Sequence, residues 1–219
     1  LLESLSIPST AGPLEALLNL AEAPRGRSAV VCHPHPLYGG TMHNNVVYHT
    51  ARALRESGFN VLRFNFRGVG RSAGVYDHGR GEQDDARAAL DLLRQRFTGD
   101  ALWMAGFSFG SWVGSKVAMT STDVQAMLAL GMPVASADFS HVADYALPLA
   151  VVQGAHDSYG SAEAVRESLG RLGRRAHLEV IDGADHFFHG MLDELRAAVT
   201  RAVQWIEEGS WRSEPGAGG

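Results

Sequence analysis

A serine with glycines two residues away on either side, Gly106-Phe107-Ser108-Phe109-Gly110, is the feature of this chain best suited to covalent chemistry. It lies between an apolar strand-like run (101–106) and a segment of helical period (109–118), so the backbone must reverse sharply at Ser108. The two glycines remove side chains that would collide in such a turn, and the hydroxyl is left projecting above the strand end. The helix that follows aims unpaired amides, Phe109 first, at the point where an oxyanion would form. A serine hydroxyl attacks only when a base takes its proton. His186 meets that need: it stands between the last strand-like run and the last helical one, with His189 as its competitor three residues on. The carboxylate that would fix the imidazole tautomer is Asp157, in the loop leaving the apolar run 149–153, with Asp138 as a substitute position. Asp185 adjoins His186, and neighbours rarely turn their side chains toward each other; Asp182 shapes the turn.

A second constellation follows the first buried run: His33, His35 and His43, interleaved with Pro34, Pro36 and Gly39-Gly40. Proline keeps this stretch extended, and the glycine pair allows backbone to come close to a ligand, which makes the loop a source of the second oxyanion amide. Pro34 and Pro36 have no amide to give, so the donor is His35 or Leu37, and His35 is taken. Leu37 and Tyr38 are the candidate substrate-contacting residues of the loop. Spacing of two would let His33 and His35 face one metal ion, but no clustered acidic partner accompanies them, and hydrogen bonding by the rings is expected instead. The glycines of 68–74 are one residue out of register for a dinucleotide fingerprint and open no helix, and no Gly-Lys-Ser or Gly-Lys-Thr string occurs. Cys32 falls in a buried run and reads as core. No metal or organic cofactor is implied.

The elements that must position these residues are strands and helices in alternation. Residues 1–27 hold turn chemistry between short apolar runs and predict an antiparallel hairpin ending near Leu20. Strand-like runs follow at 29–32, 60–64, 101–106, 126–130, 149–153 and 178–181, and helical segments at 44–57, 82–97, 109–118, 162–172 and 190–208. That order predicts an α/β fold: a mostly parallel sheet covered on both faces, with ligands bound beyond the carboxyl ends of its strands. One domain over 1–208 is expected, with a frayed Gly- and Pro-rich tail over 209–219.

The 219 residues are 45% hydrophobic and 20% charged, which excludes a disordered or collagenous chain. No apolar run approaches the ~18 residues of a membrane helix. A net charge of -5 gives no reason to expect nucleic acid as partner. A single cysteine and the lack of a signal-peptide pattern point to the cytoplasm.

On these residues the chain resembles the α/β-hydrolase family. The serine turn matches that family's nucleophile motif; Phe64-Asn-Phe-Arg-Gly-Val-Gly-Arg-Ser72 resembles the loop after its second parallel strand, and Gly183-Ala-Asp-His186 its histidine loop. Cys32-His-Pro-His-Pro-Leu-Tyr-Gly-Gly-Thr-Met-His-Asn44 is similar to small bacterial serine hydrolases related to dienelactone hydrolase, in which a cysteine replaces Ser108. The resemblance covers about 14–208. Its cap is usually inserted after the strand that here ends near Leu130, and 131–148 is too short for one, so an open cleft and small acyl substrates are expected. The implied activity is a serine carboxylesterase acting on short-acyl esters through an acyl-enzyme, with Ser108, His186 and Asp157 as its triad and the amides of Phe109 and His35 as its oxyanion hole. A thioesterase or small-peptide hydrolase would use the same groups, and a binding protein on a hydrolase scaffold would retain them without turnover.

Overall fold

The computed structural model describes residues 1–209, Trp211 and Arg212. Its centre is an eight-stranded sheet. The strands are β1 (Leu2–Ser9), β2 (Gly12–Asn19), β3 (Arg27–Cys32), β4 (Asn60–Phe64), β5 (Ala101–Phe107), β6 (Val124–Leu130), β7 (Leu149–Gly154) and β8 (Ala176–Ile181), in the spatial order β1-β2-β4-β3-β5-β6-β7-β8. β1 and β2 form the antiparallel hairpin, β2 lies antiparallel to β4, and every pair from β4 to β8 is parallel. The helices are α1 (Asn45–Glu56), α2 (Arg80–Arg96), α3 (Phe109–Thr120), α4 (Ala162–Leu169) and α5 (Leu192–Glu208).

Central strands are buried throughout because both faces are covered, and alternate residues go to different cores. Val30, Met104, Met127 and Val151 pack with α2, α3 and α4; Val31, Ala105, Leu128 and Val152 pack with α1 and α5. Each parallel strand therefore ends at one rim of the sheet, where the loops carrying Cys32–Asn44, Ser108, Asp157 and His186 meet.

The expected α/β architecture, including the hairpin, is present. The boundaries moved where local chemistry was stronger than periodicity. α4 ends at Leu169, and Gly170–Arg175 form a 3-10 turn in which Gly173 has φ 52°. α5 begins at Leu192 because Gly190, at φ 71°, still belongs to the turn. α2 begins at Arg80, where the Glu82 carboxylate accepts the amides of Asp77 and Gly79 at 2.9 and 2.7 Å. β8 extends back to Ala176 because that residue pairs with Leu149. Residues 131–148 hold only a 3-10 turn at Ser140–Asp144, so no cap is inserted between β6 and β7. Gly209 closes α5 at φ 68°; the rest of the expected tail, apart from Trp211 and Arg212, lies outside the described residues. Among the described residues no helix is long and apolar enough to cross a membrane.

Candidate active site

Ser108 sits between β5 and α3 at φ 55° and ψ -120°, a conformation that a side chain adopts only where its surroundings enforce it. The enforcement is close backbone packing. A Cβ on Gly106 would stand 2.2 Å from the carbonyl oxygen of Gly110, and one on Gly110 would stand 2.4 Å from that of Cys32. The Ser108 amide donates to Leu130 O at 2.9 Å, which ties the turn to the end of β6. Gly110→Ala is therefore expected to destabilise the fold by about 3 kcal/mol, because its Cβ would strike the main-chain carbonyls of Cys32 and His33, at 2.4 and 2.6 Å, and neither can turn away. Urea unfolding measures this, and an unchanged midpoint would contradict the close approach.

Three side chains from three loops converge on this turn. His186 Nε2 lies 2.9 Å from Ser108 Oγ, and His186 Nδ1 lies 2.7 Å from Asp157 Oδ2. His186 and Asp157 are 4% and 5% exposed, so their contact is shielded from water, while Ser108 is half-buried at the cleft floor. Asp157 is held by four donors: Oδ2 also accepts Gln153 Nε2 at 2.8 Å, and Oδ1 accepts the amides of Tyr159 and Gly160 at 2.8 and 3.3 Å. With every partner a donor, its carboxylate form is the one that fits. Gln153 is itself locked, accepting from Met132 N at 2.8 Å and donating to Gly160 O at 2.7 Å. The Tyr159 ring covers His186 at 4.4 Å between centroids.

The loop after β3 approaches from the other side. His35 turns it: its carbonyl accepts the amides of Tyr38 and Gly40, both at 3.1 Å, and its Nδ1 accepts the Leu37 amide at 3.2 Å. Nε2 then carries the proton and faces Tyr76 Oη at 3.0 Å. The Leu37 amide is thus occupied, whereas among the described residues the amides of His35 and Phe109 have no acceptor. Tyr38 lines the cleft; Leu37, against expectation, is 65% exposed and outside its lining, because the turn points it to solvent.

The remaining candidates lie elsewhere. His189 pairs with Asp185 at 2.7 Å, away from the serine. Asp138 is exposed on the cleft wall and bound to Ser140, while His186 Nδ1 is engaged by Asp157 instead. His43 is exposed, and burial pushes the Cys32 thiol up, far from a thiolate. The 68–74 glycine loop packs on β2, where Glu15 accepts Asn65 Nδ2 and the Arg71 amide at 2.8 and 3.0 Å; Asn65 in turn accepts the Met42 amide at 2.8 Å and braces the His35 loop.

His33 is fully buried, with Nε2 accepting the Phe66 amide at 3.0 Å and Nδ1 donating to Pro34 O at 2.6 Å. Burial pushes its pKa from 6.5 down to about 4. The unfolded chain therefore binds a proton first, and stability is complete above 6.5 and falls as pH drops toward 4, by up to about 3 kcal/mol from this group. Urea unfolding between pH 7 and 4 should show that loss, with a shallower slope in His33→Gln; a His33 NMR titration near 6.5 would refute it.

Pro34, Tyr38, Tyr76, Phe109, Trp112, Tyr159 and Phe187 are among the walls of an open cleft of about 770 Å³ with Ser108 and His186 at its floor. Gln153, Tyr76, Trp112, Tyr159 and Phe187 were not among the site residues expected from sequence. Gln153 carried a usable signal, a polar residue in an otherwise apolar strand that must find buried partners.

A family model described as an alpha/beta hydrolase domain matches residues 29–207. The chain belongs to the α/β-hydrolase family, and that membership supports a hydrolase. It is similar to a lidless α/β serine hydrolase of Xanthomonas campestris, XC6422, at 40% identity, covering 94% of this chain and 95% of that one with a TM-score of 0.87. An α/β serine hydrolase homologue from Coxiella burnetii is 38% identical over 91% of this chain and 96% of its own, with a TM-score of 0.86. The uncharacterized protein RP471 of Rickettsia prowazekii is 40% identical over 197 residues, 86% of this chain and 83% of that protein.

Proposed function

We propose that this chain is a serine carboxylesterase that hydrolyses small, short-acyl esters through an acyl-enzyme, in the cytoplasm. The observation that carries the reading is the continuous relay from Ser108 Oγ to His186 Nε2 at 2.9 Å and from His186 Nδ1 to Asp157 Oδ2 at 2.7 Å, at the floor of an uncapped cleft. Ser108 Oγ attacks the ester carbonyl carbon while its proton passes to His186 Nε2. The carbonyl oxygen becomes an oxyanion and takes hydrogen bonds from the free amides of Phe109 and His35, reinforced by the N-terminal end of α3. Collapse breaks the bond to the alcohol oxygen, which takes the proton from His186. Water, deprotonated by the same nitrogen, then attacks the acyl-enzyme carbonyl; the bond to Ser108 Oγ breaks, Oγ takes the proton back from His186, and the carboxylic acid is released. Asp157, fixed by Gln153 and two amides, keeps the proton on Nδ1, so that Nε2 is free to accept. The reaction as written uses only this chain and water.

An uncapped cleft offers little apolar enclosure for a long acyl chain. Among p-nitrophenyl esters of increasing length, kcat/KM is expected to peak at acetate to butyrate and fall by decanoate. A peak at ten carbons or beyond would replace the short-acyl reading with a lipase.

A further inference from the structure

The cleft walls are built of rings. On the α3 side the His35 ring stands 4.6 Å from Tyr38, 5.0 Å from Tyr76 and 4.9 Å from Phe109 between centroids. Trp112 continues the row 5.9 Å from Phe109. Across the serine, Phe187 lies 5.0 Å from His186, beside Tyr159. Tyr38, Tyr159 and Phe187 are 86%, 47% and 41% exposed, so rings at the rim of a reactive cleft keep apolar faces in water. A planar aromatic group seated among them would recover contact on its faces and edges that a saturated ring of equal size cannot match.

The charges point the same way. One carboxylate, Asp138, lines the cleft, and among the described residues no lysine or arginine does. The amide and hydroxyl of Ser140 bind Asp138 at 2.8 and 3.0 Å and hold it below the usual carboxylate range. Glu82, buried close enough to act on both His35 and Tyr76, has two backbone amides but no ion-pair partner among the described residues. The nearby cations make their direct contacts with other groups and reach these carboxylates only through space: Arg67 binds Asp85 by two hydrogen bonds of 3.0 and 2.8 Å and acts on Glu82 from there, while Lys116, over the Trp112 ring at 4.8 Å, and His141 act on Asp138 without a hydrogen bond to its carboxylate.

We propose that the cleft takes esters with a compact aromatic group on one arm and discriminates against those bearing a carboxylate, with Asp138 setting the charge preference. This rests on the serine-hydrolase reading above. The test compares kcat/KM for benzyl acetate, cyclohexylmethyl acetate, 4-carboxybenzyl acetate and 4-(trimethylammonio)benzyl acetate, with fluorophosphonate labelling of Ser108 read by intact mass in the same samples. Benzyl should exceed cyclohexylmethyl by about threefold to tenfold, a ratio that Tyr38→Ala lowers. The cationic ester should exceed the anionic one by about tenfold at low ionic strength, and both 0.5 M salt and Asp138→Asn should flatten that ratio. A labelled, active enzyme that hydrolyses all four esters equally overturns the substrate assignment alone, and a charge ratio unmoved by Asp138→Asn removes Asp138 from it. A folded protein that neither labels nor hydrolyses any of them overturns the serine-hydrolase reading and this inference with it.

Discussion

Replacing Ser108 with alanine is expected to lower kcat by about 10⁴-fold or more and to abolish the fluorophosphonate adduct, while the folded state survives. The size follows from chemistry: without Oγ no acyl-enzyme forms, and what remains is the oxyanion site acting on bound water. The survival follows from packing, because the turn is held by main chain on both sides and by the Ser108 amide bonded to Leu130, none of which needs the hydroxyl. The strained backbone supplies an independent check. At φ 55° a residue with a Cβ is disfavoured, so Ser108→Gly should be inactive and also more stable than the wild type by about 1 kcal/mol. Intact mass after labelling, ester hydrolysis and urea unfolding on the three proteins decide the matter. A Ser108→Ala enzyme that still turns over within tenfold of wild type would mean that the nucleophile lies elsewhere.

The loops at the carboxyl ends of parallel strands were legible in the sequence because two short-range signals meet there. Apolar runs with turn residues mark where each strand stops, and Ser108, Asp157 and His186 each stand within a few residues of such a stop. The sheet brings them together because all three strands run in one direction. What could not be read depends on contacts between distant segments. Nothing near Gln153 says that its amide reaches Asp157, Met132 and Gly160, since those partners are set by how β6 and β7 pair. Leu37 and Tyr38 are adjacent in one loop, yet only Tyr38 lines the cleft, a difference made by a 3-10 turn at Pro36–Tyr38 that the proline pattern did not announce. Tyr76, on the connection between β4 and α2, enters the wall through its bond to His35, forty-one positions earlier.

Asp157→Asn should be nearly as damaging as loss of the serine, for a reason visible in the donors around it. All four groups facing this carboxylate donate: His186 Nδ1 and Gln153 Nε2 to Oδ2, and the amides of Tyr159 and Gly160 to Oδ1. An asparagine has one oxygen and one NH₂. With the NH₂ toward Tyr159 and Gly160, it opposes two backbone N–H groups that cannot turn, in a site closed to water. With the NH₂ toward His186, it stabilises the tautomer whose Nδ1 accepts and whose Nε2 carries the proton, and that nitrogen can no longer take a proton from Ser108. The second arrangement leaves fewer fixed donors unpaired, so the expected outcome is a folded enzyme with kcat lowered by about 10³- to 10⁴-fold and KM changed far less. Asp157→Glu separates charge from placement: it restores the acceptor but sets it one methylene further out, and should recover part of the rate. ¹⁵N NMR of the His186 ring reads the cause directly, with the proton on Nδ1 in the wild type and on Nε2 in Asp157→Asn. A mutant ring still protonated at Nδ1, or a kcat within tenfold of wild type, would take the tautomer-fixing role away from Asp157.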